Sequence, residues 1–350
     1  SLPAGVDQIN IDAQVRNPGG NIDLTEISIH PFSFRLAENP FSLTADIQTP
    51  VSDPDFTAEA KGVLNLGMIK QVYPLDDMEL NGTVRADMTM AGHLSYIEKE
   101  QYDRFSASGT IALSDMKLKM KEMPDVEIKK SLFTFTPKYL QLSETTVAIG
   151  KNDLTADCRF ENYMGYALKG STLKGTLNVR SNHLNLNDFM TATTDSTAQT
   201  SQASSTKETA SMIEVPLNID FQMDAGLKEV LFDKMNFTNM NGKLIVKNGK
   251  VDMTNLSMNT MGGSVVMNGY YSTADPKKPE MNAGFRMENI GFAQAYKELD
   301  MVQQMAPIFE NLKGNFSGNM HIRTLLDNQM SPVMDTMQGN GSLSTQDHRL

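Results

Sequence analysis

Residues 41–73 read FSLTADIQTPVSDPDFTAEAKGVLNLGMIKQVY. Phe41, Leu43, Ala45 and Ile47 alternate with polar residues. Period two buries one face of a strand and wets the other, the habit of antiparallel sheets. A turn-forming stretch and a second alternating run follow, and the phrase closes on a short apolar segment suited to a helical turn. The same alternation recurs at Val84, Ala86, Met88 and Met90, at Leu217, Ile219, Phe221 and Met223, and at Met281, Ala283, Phe285 and Met287.

The order strand, turn, strand, short helix occurs three times. Residues 152–190 (NDLTADCRFENYMGYALKGSTLKGTLNVRSNHLNLNDFM) and 263–296 (GSVVMNGYYSTADPKKPEMNAGFRMENIGFAQAY) align with 41–73, and Leu43, Leu154 and Val265 are spaced by 111 residues each. Closing phrases recur at 64–69, 184–189 and 288–292, and opening phrases at 108–113, 241–246 and 340–343. A unit near 110 residues is too long for a propeller blade or a helical-repeat module, and such units add their stability locally. The expected divisions are 1–107, 108–190, an insert at 191–211, 212–340, and the opening of a further repeat at 341–350. Pattern is already present at residue 1 and still present at 350, so the chain reads as a piece of a longer protein.

Asn17-Pro18-Gly19-Gly20, Asn81-Gly82, Asn241-Gly242, Asn248-Gly249 and Asn268-Gly269 predict tight reversals, because Asn and Gly accept positive φ. One amphipathic helix is expected over 292–311, carrying Ala295, Leu299, Val302, Met305 and Phe309, with short turns at 68–73, 186–190 and 331–337. Residues 191–211, TATTDSTAQTSQASSTKETAS, have too little apolar surface to offset the entropy of ordering and read as a linker.

Composition excludes several functions. Net charge −11 and a pI near 5.0 oppose nucleic acid and anionic lipid surfaces as electrostatic partners. No run approaches the ~18 apolar residues of a membrane-spanning helix. The five histidines, His30, His93, His183, His321 and His348, lack zinc-ligand spacing, and the single Cys158 reads as a small buried hydrophobe. Phosphate-binding glycine loops and nucleophile elbows are absent. The acidic run at 76–79 lacks the spacing of a calcium loop. Lys117, Lys119, Lys121, Lys129 and Lys130 alternate with apolar residues and read as the wet face of a hairpin. The sequence therefore predicts neither an enzyme nor a cofactor. With 0 Trp there is no platform for sugar stacking, which weighs against a carbohydrate-active β-protein. Methionine is abundant, 25 residues, suiting either an apolar surface that repacks around varied ligands or nothing more than codon habit.

The phrases QGNGSLSTQD (338–347), LNLGMIKQVYPL (64–75), LNLNDFM (184–190) and GTVRADMTMAGHLS (82–95) together resemble the AsmA family of AsmA/TamB-like envelope proteins, more remotely the chorein-type bridge lipid transporters. The likeness covers most of the chain apart from 191–211. It implies an inner-membrane anchor upstream, outside this sequence, and a periplasmic body that takes part in outer-membrane biogenesis by moving phospholipid. The fold expected is all-β with a few short helices: an elongated, twisted antiparallel sheet curved into an open hydrophobic groove built from repeated units. An apolar sheet face needs a cover, and with few helices the sheet either closes as a sandwich or holds acyl chains. The expected groove lining is Leu43, Ala45, Ile47, Val84, Ala86, Met88, Met90, Leu154, Ala156, Phe160, Leu217, Ile219, Phe221, Met223, Val265, Met267, Met281, Phe285 and Met287. The expected partners are phospholipid or another acyl-chain lipid, the envelope membranes through segments outside this sequence, and envelope proteins, with no nucleic acid. A scaffolding envelope β-protein without lipid cargo is the alternative.

Overall fold

The structure, a computed structural model, describes residues 6–36, 39–69, 78–120, 124–190, 213–327 and 330–349. The expected insert at 191–211 and residues 70–73 of the expected 68–73 turn lie outside the described residues. Among the described residues the protein is all-β, 66% strand against 14% helix, and its eighteen strands are in open sheet, not in a closed barrel. Helix is thus too scarce to form a second layer.

The chain divides into two compact units, Ser1–Gly150 with Leu154–Leu177, and Lys151–Asp153 with Asn178–Leu350. The first holds β1 (Val6–Arg16), β2 (Glu26–Leu36), β3 (Asn39–Gln48), β4 (Asp55–Asn65), α1 (Leu66–Ile69), β5 (Met78–His93), α2 (Leu94–Glu98), β6 (Ser106–Met120), β7 (Val126–Phe135) and β8 (Tyr139–Ile149). Most of β9 (Asn152–Glu161), α3 (Tyr163–Lys169) and most of β10 (Leu173–Ser181) complete it. From β1 to β8 each strand pairs antiparallel with the next.

The second unit holds β11 (Leu184–Asn185), α4 (Asn187–Met190), β12 (Ile219–Phe232), β13 (Met235–Lys247), β14 (Lys250–Thr260), β15 (Gly263–Ser272), β16 (Glu280–Gly291), α5 (Phe292–Glu298), α6 (Asp300–Met305), β17 (Lys313–Leu325) and β18 (Gln338–Arg349). Strands β12 to β18 again form an antiparallel meander. The two-residue β11 departs from the expected pattern by pairing parallel to β12. Each closing phrase sits where a strand hands over to a helical turn: β4 to α1, β11 to α4, β16 to α5.

The structure corrects two sequence expectations. Of the four Asn-Gly pairs expected to reverse the chain only Asn248-Gly249 does so, with φ of 51° and 72° between β13 and β14. Asn81-Gly82, Asn241-Gly242 and Asn268-Gly269 lie inside β5, β13 and β15. At the first two the ladder slips, between Asn81 and Thr83 and on either side of Asn241. The same tolerance of unusual φ that makes these residues good in turns makes them good at β-bulges, which let long strands twist.

The helix expected over 292–311 is broken into three pieces. Leu299 is extended (φ −115°, ψ 105°) between α5 and α6, and Ala306 leaves the helical region before a 3₁₀ turn at Pro307–Glu310. Proline disfavours helical backbone in the residue before it, which accounts for Ala306. At the first break the Gln303 side chain donates to the freed Tyr296 carbonyl at 2.9 Å.

Candidate functional site

Antiparallel register aligns the alternating apolar residues of neighbouring strands into rows. In the first unit Phe41, Leu43, Ala45 and Ile47 stand opposite Gly62, Ala60, Ala58 and Phe56 of β4. Those face Ala86, Met88, Met90 and Gly92 of β5, while Leu64 faces Val84. Strand β6 continues the rows with Leu113, Ile111, Gly109 and Ala107 opposite Val84, Ala86, Met88 and Met90. Outward on one side, β2 adds Ile27, Ile29, Phe32 and Phe34. On the other side, β7 and β8 add Phe133 and Phe135 opposite Leu142 and Leu140. The alternate residues, among them Asp46, Glu59, Lys61, Asp87 and Thr89, take the other face, which is polar.

Side-chain size varies systematically across these rows. Ala58, Ala60 and Gly62 make β4 a low floor, with Ala45 and Ala86 beside it. The flanks are bulky: Phe32, Phe34 and Phe41, in mutual ring contact at 5.5 and 5.6 Å, rise on one side, and Ile111 and Phe133 on the other. The floor and flanks define a trough in the apolar face.

One end of the trough is covered. Ile97 of α2, Phe105 and Tyr163 of α3 pack on Met90 and Ala107, joined by Phe56, Met88, Phe135, Leu140 and Phe160. The Tyr163 hydroxyl donates to the Thr136 carbonyl at 3.0 Å, and burial pushes its pKa up to about 12. Phe34, Phe41, Ile111 and Phe133 in one row and Leu64, Val84 and Leu113 in the next lie outside this cluster and are half-buried, with the buried Ala86 between Phe41 and Ile111.

The second unit repeats the arrangement. Phe221 and Met223 oppose Val246 and Leu244, which oppose Val251 and Met253 of β14. The rows run on through Tyr271, Gly269, Met267 and Val265 of β15 to Met281, Ala283, Phe285 and Met287 of β16. They end on Ile322, Met320 and Gly318 of β17. Here α5 supplies the cover: Phe292 and Ala295 pack with Leu256, Met258, Val265, Ile290 and Phe316, and Phe309 closes on Phe292 at 4.8 Å. Phe221, Val246, Val251, Tyr271 and Met281 stay half-buried away from it.

Among the expected lining residues, Leu43, Ala45, Ile47, Val84, Ala86, Met88 and Met90 share the first unit's rows, and Phe221, Met223, Val265, Met267, Met281, Phe285 and Met287 share the second's. Leu154 and Ala156 are half-buried on β9, and Phe160 belongs to the first unit's covered cluster. Ile219 opens β12, whereas Leu217 stands in the turn before it, 63% exposed. The sequence reading missed β2, where a register shift between Ile29 and Phe32 breaks the alternation, and the aromatic flank of β7. It also missed the β13 and β14 residues, whose pattern the bulges interrupt.

Polar clusters lie off these rows. Ser28 donates to Asp46, whose other oxygen meets His30 Nε2 at 2.6 Å, so the carboxylate stands between hydroxyl and imidazole. A hydrolytic triad needs the imidazole in the middle, where it can take the hydroxyl proton. The Ser28 hydroxyl, followed by His30, holds the Asp46 carboxyl below the usual carboxylate range. The expected wet hairpin carries Lys117 with Glu127 at 3.0 Å and Lys119 with Asp125 at 3.4 Å. Among the described residues, no three acids, histidines or cysteines are grouped to hold a metal ion, and no helix is long and apolar enough to cross a membrane.

No protein-family model, curated protein or solved structure matches the chain.

Proposed function

We propose that each unit binds the acyl chains of phospholipid or a related lipid along the exposed part of its apolar face, without a chemical step. The observation that carries this reading is the run of half-buried apolar side chains in each unit that lies outside the helical cover, in the first unit beside a floor of small residues. A sealed core would bury them, and a polar surface would not align them. Each methylene withdrawn from water contributes about 0.8 kcal/mol, so an acyl chain gains several kcal/mol from such a trough with no polar contact. An AsmA-like role in the bacterial envelope, periplasmic, anchored to the inner membrane by a segment outside this sequence and moving phospholipid toward the outer membrane, is the setting we propose for it. The resemblance of the repeat phrases supports that setting.

Native mass spectrometry of the purified chain, mixed with phosphatidylglycerol and phosphatidylethanolamine, tests the reading. Species carrying up to two lipids are expected, and Ile111→Asp, which sets a charge among the apolar side chains of the first unit, should weaken that unit's binding at least about tenfold and so remove the doubly bound species. Saturating lipid that yields no bound species would sink the proposal and leave the scaffolding alternative.

A further inference from the structure

The polar face of the second unit, on the other side of the strands from the apolar rows, holds an open basin of about 660 Å³. Gly284 is its floor. In the ladder Asn268 of β15 stands opposite Gly284 of β16, Gly284 opposite His321 of β17, and His321 opposite Asn340 of β18. The adjacent row is Val266, Arg286, Asn319 and Ser342. Both rows line the basin.

Gly284 lacks the reasons that account for other glycines of these strands. A Cβ on Gly263, Gly269 or Gly318 would come within 2.1 to 2.2 Å of a backbone oxygen of the neighbouring strand. A Cβ on Gly284 would meet nothing nearer than 3.8 Å, and its φ lies outside the left-handed region. The ladder runs past it on both sides without a slip, so it makes no bulge. Glycine weakens a strand interior, and one that neither backbone nor packing requires marks a place where something else approaches the sheet closely.

The walls of the basin are donors without partners. The β14 to β15 ladder slips between Met253 and Leu256, and the Asn255 N–H freed there donates to Asn268 Oδ1 at 2.8 Å. That contact fixes the carboxamide with its oxygen engaged and its Nδ2 hydrogens free. Among the described residues the Arg286 guanidinium makes no ion pair, and the side chains of Asn319, His321 and Asn340 make no hydrogen bond. No carboxylate lines the basin, although the chain carries a net charge of −11. Of the acids on the same face of β16, Glu288 stands opposite Ser264, and Glu280 accepts from Tyr270 and Arg323 at 3.0 and 3.4 Å. A free guanidinium among amide donors suits an oxyanion. The guanidinium fork matches two phosphate oxygens, and phosphate keeps acceptors for donors on either side. We propose that this basin binds a phosphate group, free or as a monoester, with Arg286 as its counter-charge and Asn268 and Asn319 as flanking donors. The site lies on the opposite face from the acyl-binding rows and does not depend on them.

Val266 lies beside Arg286 in the lining and supplies the probe. In the full chain carrying ¹³C-methyl valine, inorganic phosphate at neutral pH and constant ionic strength is expected to shift the Val266 methyls saturably. Arg286→Gln should weaken that binding at least about tenfold, the scale of one lost charge-assisted hydrogen bond. Gly284→Ile is the second variant, because it leaves every donor in place and its Cβ has room. It should hold or raise the urea midpoint, since isoleucine suits a strand better than glycine, and yet weaken phosphate binding by a similar factor by filling the floor. Dihexanoyl phosphatidic acid that displaces phosphate from the basin would assign the group to a lipid headgroup, and phosphate binding that this lipid leaves untouched would assign it to a soluble source. The proposal is overturned if sodium chloride or acetate shifts Val266 as phosphate does, if phosphate produces no saturable shift, or if either Arg286→Gln or Gly284→Ile binds phosphate with unchanged affinity.

Discussion

Gly109 sits in the middle of β6 with φ of +112°, and a Cβ there would lie 2.1 Å from the Asp87 carbonyl oxygen of β5. Backbone conformation and close strand approach both demand glycine, so Gly109→Ala should destabilise the first unit by about 1–3 kcal/mol, read as a fall in the urea midpoint at constant slope. An unchanged midpoint would show that the strands part without cost. Cys158 offers a gentler measure of the same interior. Burial, helped by the Asp157 charge, raises its thiol from 9.0 to about 11. At pH 8 the native thiolate fraction should be roughly a hundredfold below that of the unfolded chain, and alkylation by iodoacetamide correspondingly slow. Since the folded protein holds this proton more tightly, the stability involved is full below pH 9 and is lost as pH rises from 9 towards 11. Native alkylation as fast as in urea would contradict the burial.

Among the elements, α5 shows most clearly what periodicity can and cannot convey. The stripe of apolar residues correctly marks Ala295 as buried and Phe309 as packed against the core, yet Met305, on the same expected stripe, is 63% exposed because the backbone leaves the helix at Leu299 and Ala306. Phe292 contacts both Phe309 and Phe316, so Phe292→Ala should cost about 3–5 kcal/mol and speed amide exchange through β16 and β17. Exchange that accelerates equally in β2 and β3 would show that the two units do not respond separately. The strands were legible for the reason α5 was half legible: alternation is a local signal, and Phe41 to Ile47 declare their face without help. Register is not local. Nothing in the sequence near Asn81, Asn241 or Asn268 says whether the Asn-Gly pair makes a reversal or lies inside a strand, since the answer depends on the length of the partner strand. The trough was hidden likewise, because Ala58, Ala60 and Gly62 become a floor only once Phe34 and Phe133 are placed on their flanks by pairing.

At the level of the whole molecule, the distribution of its 25 methionines turns the lipid reading into a spatial experiment. Met223 and Met281 sit on the second unit's rows outside its cluster and Met88 where the first unit's trough meets its cover, whereas Met305 and Met334 stand on helical turns at 63% and 37% exposure. Thioether side chains are flexible and polarizable, so those on the rows can fit an acyl chain of any unsaturation. A stearate bearing a nitroxide near its methyl end distinguishes that arrangement from mere greasiness. If acyl chains lie along the rows, the methyl signals of Met88, Met223 and Met281 should broaden at a low ratio of lipid to protein, while Met305 and Met334, more exposed to random encounter, stay sharp. Exposure and specific binding thus predict opposite rankings. Met305 and Met334 broadening first would mean that the lipid meets the protein only by collision, and the rows would then be nothing more than the inside of a sheet. Broadening confined to the rows, abolished in the first unit by Ile111→Asp and retained in the second, would show two acyl-binding faces acting independently, as expected of repeats whose energetics are local.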